Sequence, residues 1–369
     1  MKFTINREAL LKPLQLVAGV VERRQTLPVL SNVLMVVDGD QLSLTGTDLE
    51  VELVGRVALE DDAGKGEITV PARKLLDICK SLPENAMINV YQDDQRVKVK
   101  AGRSRFTVST LPANEFPNID EDTTGSISFT IDQSRLRYMI DRTGFAMAQQ
   151  DVRYYLNGML LEVRQNCLRV VATDGHRLAM CSVDADINQS ERYQVIVPRK
   201  GILEMARLLI EGGERVHITL DANHIRAKTG DFIFTSKLVD GEFPDYERAI
   251  PKGGSNIIIG ERQELRQAFQ RASILSNEKY RGVRLILSDS QLKIVANNPE
   301  QEVAEEDLSL TYHGNSLDVG FNVSYLLDVL SVLSSESIKI TLSDSNNSAL
   351  FEESESGGDS TYVVMPMRL

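Results

Sequence analysis

Cysteine is scarce in this chain of 369 residues: Cys79, Cys167 and Cys181 are the three, and none forms a CxxC pair. That excludes a disulfide framework and points to buried free thiols in a reducing compartment. The four histidines (His176, His217, His224 and His313) match no metal-ligand spacing. Asp174 stands beside His176, yet no third partner or activated nucleophile accompanies them. A Walker loop and a GxGxxG turn are both lacking, which argues against a nucleotide site. No apolar run approaches the ~20 residues that span a bilayer. The opening MKFTINREALLKP has no apolar core of a secretory signal. The expectation is a cytoplasmic protein with no membrane segment, metal or cofactor.

What is present is repetition. KFTINREALL starts at Lys2, SFTIDQSRLR at Ser128 and IIIGERQELR at Ile257. Each sets an extended apolar stretch before a charged, helix-like one. A second helical stretch follows in each third: VPARKLLDI from Val70, VPRKGILEM from Val197 and FNVSYLLDV from Phe321. Leu76, Leu203 and Leu327 are spaced by 127 and 124 residues, and Phe116-Pro117 and Phe243-Pro244 by 127. Solenoid units run roughly 20–50 residues, so this period means three tandem domains of one fold. The length suffices for each to bury a core. The expected boundaries are 1–122, 126–248 and 251–369.

Alternation predicts strands over Val33–Val37, Gln41–Thr45, Leu49–Val57 and Phe232–Leu238. Helical period covers Arg7–Gly19, Ala72–Pro83, Asp132–Ala148, Arg199–Glu211, Glu261–Leu275 and Val323–Leu333. The class is α+β, each domain a doubled helix-plus-antiparallel-strands unit. Phe116–Gly125 and Tyr246–Ser255 read as interdomain linkers. Asp174-Gly175 reads as a turn, and Thr47-Asp48-Leu49-Glu50 and Asn297-Asn298-Pro299-Glu300 sit at matching strand ends.

The net charge is −12, against the basic character usual for nucleic-acid binders. Its distribution is uneven: the six helical windows hold 14 Lys and Arg against nine Asp and Glu. One reading is that basic residues simply favour helices. The other is that the helices share one positive surface and the sheets lie outside as an acidic exterior, so that DNA binds only within the assembly. With packed axes ~8–10 Å apart, six helices in a circle leave a hole too narrow for a duplex, whereas twelve leave a bore of about 25 Å. Twelve helices require two chains closed head to tail, hence complementary ends. Arg103 to Val108 alternates as an edge strand, with Arg103 and Arg105 on one face and Phe106 and Val108 on the other. Asn298 to Glu306 is acidic through Glu300, Glu302 and Glu305, and Ile274-Leu275 ends a helix. Basic edge against acidic end, with the two apolar pairs in contact, makes a heterologous seam. Two unrelated solvated charge runs are the other reading. The apolar C-terminus, Thr361 to Leu369, contains a strand at Tyr362–Val364 and is interrupted by Pro366. Its methionines suit a groove for varied apolar side chains.

VRYYLNGM, TDGHRLA, VPRKG, GDFIFTSKLVDGEFPDY, ILSNEKYRGVRL, FNVSYLLDVL and YVVMPMRL together resemble the bacterial sliding clamp, the β subunit of DNA polymerase III, from Met1 to Leu369. The resemblance implies three DNA-clamp domains per chain, a ring-shaped homodimer with helices lining the bore, and a non-catalytic processivity factor around double-stranded DNA without sequence preference. The partners it implies are the replicative polymerase subunit, an ATP-driven clamp loader, repair and translesion polymerases, mismatch-repair proteins and ligase. The DNA contacts it implies are Arg24, Arg73, Gln150, Tyr154 and Tyr155, with Arg199 and Lys200 added by helix position. The partner-peptide pocket it implies is lined by Leu156, Thr173, Gly175, His176, Arg177, Leu178, Pro244, Arg248, Asn322, Tyr325, Val363, Val364, Met365, Pro366, Met367 and Arg368. Leucine or phenylalanine anchors would bury against Leu156, Leu178, Val363 and Met365, with Arg177 fixing polar groups. At Ala249 the family is familiar with a larger β-branched residue, which implies a wider wall here. Two other classes stand beside this reading: an enzyme, which needs a constellation the chain does not display, and a structural ring without DNA, which leaves the basic helices unexplained.

Overall fold

The computed structural model describes residues 1–22, 27–59, 64–117, 119, 126–187, 189, 191–210, 213–354 and 358–368. The first repeat runs β1 (Lys2–Asn6), α1 (Arg7–Val20), β2 (Asn32–Asp38), β3 (Gln41–Thr47), β4 (Val51–Ala58), β5 (Gly66–Pro71), α2 (Ala72–Ser81), β6 (Met87–Asp93), β7 (Arg96–Ala101) and β8 (Ser104–Ser109). The second runs β9 (Ile127–Asp132), α3 (Gln133–Thr143), β10 (Gly158–Arg164), β11 (Cys167–Thr173), β12 (Arg177–Asp184), β13 (Tyr193–Pro198), α4 (Arg199–Leu208), β14 (Arg215–Leu220), β15 (His224–Thr229) and β16 (Phe232–Lys237). The third runs β17 (Asn256–Glu261), α5 (Arg262–Ser273), β18 (Gly282–Ser288), β19 (Gln291–Asn297), β20 (Val303–Ser309), β21 (Thr311–His313), β22 (Leu317–Asn322), α6 (Val323–Val332), β23 (Ser337–Leu342), β24 (Ala349–Glu353) and β25 (Ser360–Val364).

The chain divides into two compact units, residues 1–137 with 200–238, and 138–199 with 239–369. The first contains a four-stranded sheet, β1-β6-β7-β8, and an eight-stranded one, β5-β2-β3-β4-β16-β15-β14-β9. The second contains a nine-stranded sheet, β13-β10-β11-β12-β25-β24-β23-β17-β21, and a four-stranded one, β20-β19-β18-β22. Both large sheets are joints between repeats. In one, β4 pairs antiparallel with β16, Leu53 opposite Phe234; in the other, β12 pairs with β25, Ala179 opposite Tyr362. Hydrogen-bonded ladders join the repeats, so each compact unit takes in part of the central repeat.

The helices form where their apolar spacing demands. In α1, Leu10, Leu14, Val17 and Ala18 fall on one stripe and are buried. Asn6 caps the helix by accepting the Glu8 N–H at 2.9 Å. Pro13 lies inside it, where proline ordinarily costs ~3 kcal/mol. Its ring packs where Gly55 of β4 leaves room, since a Cβ at Gly55 would meet Pro13 at 3.3 Å and Phe232 at 3.1 Å. Glu261 and Asn322 cap α5 and α6 in the same way as Asn6.

Five of the observed helices are shorter than the sequence windows, α1 is one residue longer, and together they are more basic. Asp132 and Glu261 close strands, and Glu211 lies outside the described residues. Within their bounds the six helices hold 14 Lys and Arg against six Asp and Glu. The strand expected from Leu49 begins instead at Val51, because the Asp48 carboxylate accepts the N–H groups of Glu50 and Val51 at 2.9 and 2.7 Å and folds them into a turn.

Candidate functional site

The junction of β12 and β25 carries a cavity of the second unit. Strand register brings Leu178 opposite Val363 and Arg177 opposite Val364. Alternation then aims Leu178 and Val363 to one side. There they join Leu160, Val171, Ile196 and Tyr246 in an apolar cluster, with Tyr155, Phe243 and Leu350 packed against it. The cavity of about 210 Å³ opens over this cluster. Its lining includes the expected Leu156, Thr173, Gly175, His176, Arg177, Leu178, Pro244, Val363 and Met365. Burial leaves Leu156, Leu178, Tyr246 and Val363 almost wholly inside, while Met365 is 46% exposed at the mouth.

The turn before β12 explains the TDGHR run. The Thr173 hydroxyl donates to the Arg177 carbonyl at 2.6 Å, and the Asp174 carboxylate accepts the His176 and Arg177 N–H groups at 2.9 and 3.0 Å. Gly175 between them has φ +87°, the left-handed region. A Cβ there would also sit 2.9 Å from the Arg153 guanidinium. Arg153 is held by Asp151 at 2.8 Å and donates to the Asp174 carbonyl at 3.1 Å. The Arg153 guanidinium and the Arg153 N–H, both donating to Asp151, hold its carboxyl down at about 2. The Arg153 guanidinium thus lies against the main chain at residue 175, where no side chain stands in its way.

Arg177, expected to fix a partner's polar groups, lines the cavity and is also engaged within the chain. Its guanidinium donates to Asp174 at 3.1 Å, to the Phe145 carbonyl at 2.8 Å and to Asp328 of α6. It also lies 4.6 Å from the Tyr325 ring centre and 5.1 Å from that of Phe145. Its charge is engaged within the chain, so it braces the wall. Tyr325 stacks on His176 with centroids 6.4 Å apart. Asn322 caps α6, and Val364 is fully buried in β25. The tail leaves β25 through the bond from Met365 N–H to the His176 carbonyl, then from Met367 N–H to the Gly320 carbonyl, both 2.9 Å. Pro366 lies between these two ties. Met367 and Arg368 accordingly line a separate depression with Arg284, Asp318 and Asn346. Arg248 projects into solvent beside Asp245 at 2.9 Å.

Sequence reasoning missed Arg153, Asp245, Tyr246 and Ser348 as lining residues and placed Tyr155 elsewhere. The stretch read as a linker from Tyr246 is instead a wall: Tyr246–Arg248 is a 3-10 turn whose tyrosine is 2% exposed. Its Pro and Asp content signalled a loop, and only the aromatic hinted at burial.

Of the other expected contacts, Arg24 lies outside the described residues. Arg73 projects into solvent from α2. Gln150 (φ +55°) and Tyr154 (57% exposed) flank Val152, a fully solvated apolar residue on a loop tied by reciprocal Asp151–Asn157 bonds. Arg199 donates to the Met147 carbonyl at 3.3 Å. The Lys200 ammonium is paired with Glu22 at 2.6 Å and with Asp48. At the expected seam, β8 and β20 are the outermost strands of their sheets. Phe106 and Val108 face inward and Arg103 and Arg105 outward, while Ile274 is 75% exposed just beyond α5 and Leu275 is half-buried. Glu305 pairs with Lys293 at 2.9 Å, and Glu302 accepts from Asn298 at 2.6 Å. Glu300 is exposed.

Three repeats of one doubled unit, joined through their sheets, define a chain of tandem clamp domains. Family models for the DNA polymerase III beta subunit match in order: the N-terminal domain over residues 1–120, the central domain over 130–245 and the C-terminal domain over 247–368. The beta sliding clamp of Pseudomonas putida is 69% identical over 369 residues, and that of Escherichia coli K12 is 55% identical over 370, each covering both chains fully. The crystal structure of the polymerase III subunit beta from Pseudomonas aeruginosa superposes with a TM-score of 0.97 at 69% identity, and that of Caulobacter crescentus with 0.94 at 37%, again over the full chains. The chain belongs to the bacterial sliding clamp family, the β subunit of DNA polymerase III. Its function is that of a DNA sliding clamp supporting processive replication, as an accessory subunit of the polymerase. No helix among the described residues is long and apolar enough to cross a membrane.

Proposed function

We propose that two chains close head to tail into a ring around duplex DNA, in the cytoplasm, and that the ring itself catalyses nothing. The observation that carries this reading is the pattern of sheet joints. β4 pairs with β16 and β12 with β25. Their third counterparts, β20 and β8, have no such partner among the described residues. Two such edges on opposite ends of one chain are satisfied by a second copy. The repeats also supply the register. Thr47 opposite Glu52 matches Asn297 opposite Val303, and Thr229 opposite Phe232 matches Ala101 opposite Ser104. Carrying the β4–β16 pairing across places Phe106 opposite Ala304 and Arg105 opposite Glu305. The same slot holds an aromatic in each internal joint, Phe234 and Tyr362. The basic helices supply weak phosphate contacts, with Arg24, Arg73, Gln150, Tyr154, Tyr155 and Arg199 as contributors, while retention comes from topology. Lys200, already paired with two carboxylates, contributes less.

The β12–β25 cavity takes linear peptide segments of the replicative polymerase, the clamp loader, and repair and ligation partners. Burying two leucine or phenylalanine anchors supplies ~3–6 kcal/mol before ordering costs, a strength suited to exchange among partners. Clamps of Pseudomonas aeruginosa and Bartonella birtlesii, 69% and 38% identical, have been solved bound to griselimycin, which fits a ligand-receiving family. The deciding experiment is retention on circular DNA after loading: the ring reading expects salt-dependent retention that ends when the circle is cut. Equal retention on linear and circular DNA would overturn it.

A further inference from the structure

Beneath the 244–249 wall of the cavity lies a carboxylate that neither ring closure nor direct partner contact uses. Glu162 stands in β10, where its neighbours Leu160, Leu161 and Val163 are core residues, and its own side chain has no solvent exposure. Burying a carboxylate costs several kcal/mol unless charge and hydrogen bonds offset it. Here they converge from three segments. Arg192 approaches Oε2 at 2.6 and 2.7 Å, Gln194 donates to it at 2.7 Å and the Tyr246 hydroxyl at 3.1 Å. Arg164 Nε stands 2.5 Å from Oε1, in an ion pair not aligned as a hydrogen bond. The Tyr246 hydroxyl in turn accepts from Arg169 at 3.0 Å, and Arg164 also holds Glu247 at 2.9 Å. A core site holding three arginines around two glutamates is an unusual expenditure for a wall only six residues long.

The ring of Tyr246 is the other half of the arrangement. It lines the cavity and packs in the cluster of Leu178 and Val363. The 3-10 turn closes through bonds among its own residues, Arg248 N–H to the Asp245 carbonyl and Ala249 N–H to the Tyr246 carbonyl. These ties shape the turn but do not attach it to the sheet beneath. Tyr246 and Glu247 make that attachment, and both end on the Glu162 cluster.

We propose that Glu162 is a positioning residue for the pocket: through the Tyr246 hydroxyl it fixes the depth of the wall against which a peptide's apolar anchor packs. This rests on the reading that the cavity receives a peptide. Glu162 touches no ligand, and its effect on affinity passes through the tyrosine. An anchor that packs on the ring feels the loss of the hydroxyl bond, and one that never reaches the wall does not. Glu162→Gln removes the charge that strengthens this bond and Tyr246→Phe removes its donor, so both act on one contact and their effects on affinity do not accumulate.

The test uses the full-length chain and two fluorescein-labelled peptides, one with adjacent leucine and phenylalanine anchors and one with both replaced by alanine. Anisotropy titrations are run on the wild type, both single variants and the double variant, with sedimentation and thermal melts alongside. Expected is a loss of about tenfold for the anchored peptide in each single variant. The double variant should be no weaker than Glu162→Gln alone, and the alanine peptide should change less than twofold throughout. Tyr246→Phe keeps the ring and leaves Glu162 with its arginines, so it reports even where Glu162→Gln lowers folding yield. Unchanged affinity in Tyr246→Phe, losses that multiply in the double variant, or equal losses for both peptides would each overturn the proposal. A wild type that binds neither peptide overturns the pocket reading itself, and the positioning role with it.

Discussion

The register deduced for the seam makes Arg105 the most direct handle on ring closure. Substituting Arg105→Glu sets a glutamate opposite Glu305 of the partner subunit, on the outward face where Arg105 and Glu305 both point. A cross-strand pair of opposite charge contributes ~0.2–1 kcal/mol, and like charges cost a similar amount. Reversal therefore shifts each seam by ~0.5–2 kcal/mol, and a ring has two seams. The dimer constant should weaken by roughly fivefold to nearly a thousandfold near 0.1 M salt. Phe106 and Val108, with Ile274 and Leu275 against them, are untouched, so the dimer should persist at micromolar concentration. Glu305 already pairs with Lys293 within its own chain, which places the effect toward the lower end. The decisive variant combines Arg105→Glu with Glu305→Arg in one chain. Analytical ultracentrifugation should then recover the wild-type constant to within about threefold, and the loss in the single variant should shrink as salt rises. A double variant that dimerises as weakly as the two single losses combined would refute the register. So would a single loss insensitive to salt.

Three further outcomes are expected. Deleting residues 365–369 removes Met365 and both main-chain ties of the tail while leaving β25 intact; sedimentation should still show a dimer, and anisotropy should show peptide affinity reduced at least tenfold. Gly175→Ala forces a Cβ into a left-handed residue beside Arg153, so a loss of ~1 kcal/mol in melting experiments should accompany weaker peptide binding; an unchanged melt and affinity would contradict the close-approach argument. Burial pushes the Cys79 and Cys181 thiols up to about 11 from 9.0. The unfolded chain therefore ionises first, and stability held below pH 9 is lost as pH rises toward 11, by up to ~3 kcal/mol per thiol. Urea midpoints at pH 7.5 and 10.5 should show this, and Cys79→Ala with Cys181→Ala should flatten it.

The repeat was readable because helix period and strand alternation recur around fixed anchors such as Leu76, Leu203 and Leu327. Most of the cavity lining was readable too, from motifs such as TDGHRLA. What stayed hidden depends on partners far away in sequence. Glu162 sits in a strand whose pattern gives no sign that Arg192 and Tyr246 converge on it. Lys200 read as a phosphate ligand, and its pairing with Glu22 and Asp48 stayed hidden because both are more than 150 residues distant. Arg177 read as a recognition residue, and nothing in its motif announced that Asp328, supplied by another repeat, would meet it. The sheet joints were also invisible, since a strand's sequence announces its faces but not which edge it will meet.

Leu49 and Gly175 occupy the same place in two copies of one turn. Both are left-handed, with φ +79° and +87°, and both turns are closed by a threonine hydroxyl and an aspartate. The strained leucine shows that the fold needs the turn and not the glycine. A duplicated scaffold can therefore differentiate its copies by subtraction: in one the side chain stays, in the other its removal lets an arginine settle against the main chain at the lip of a cavity. Among the described residues, specialisation here required no new element of structure.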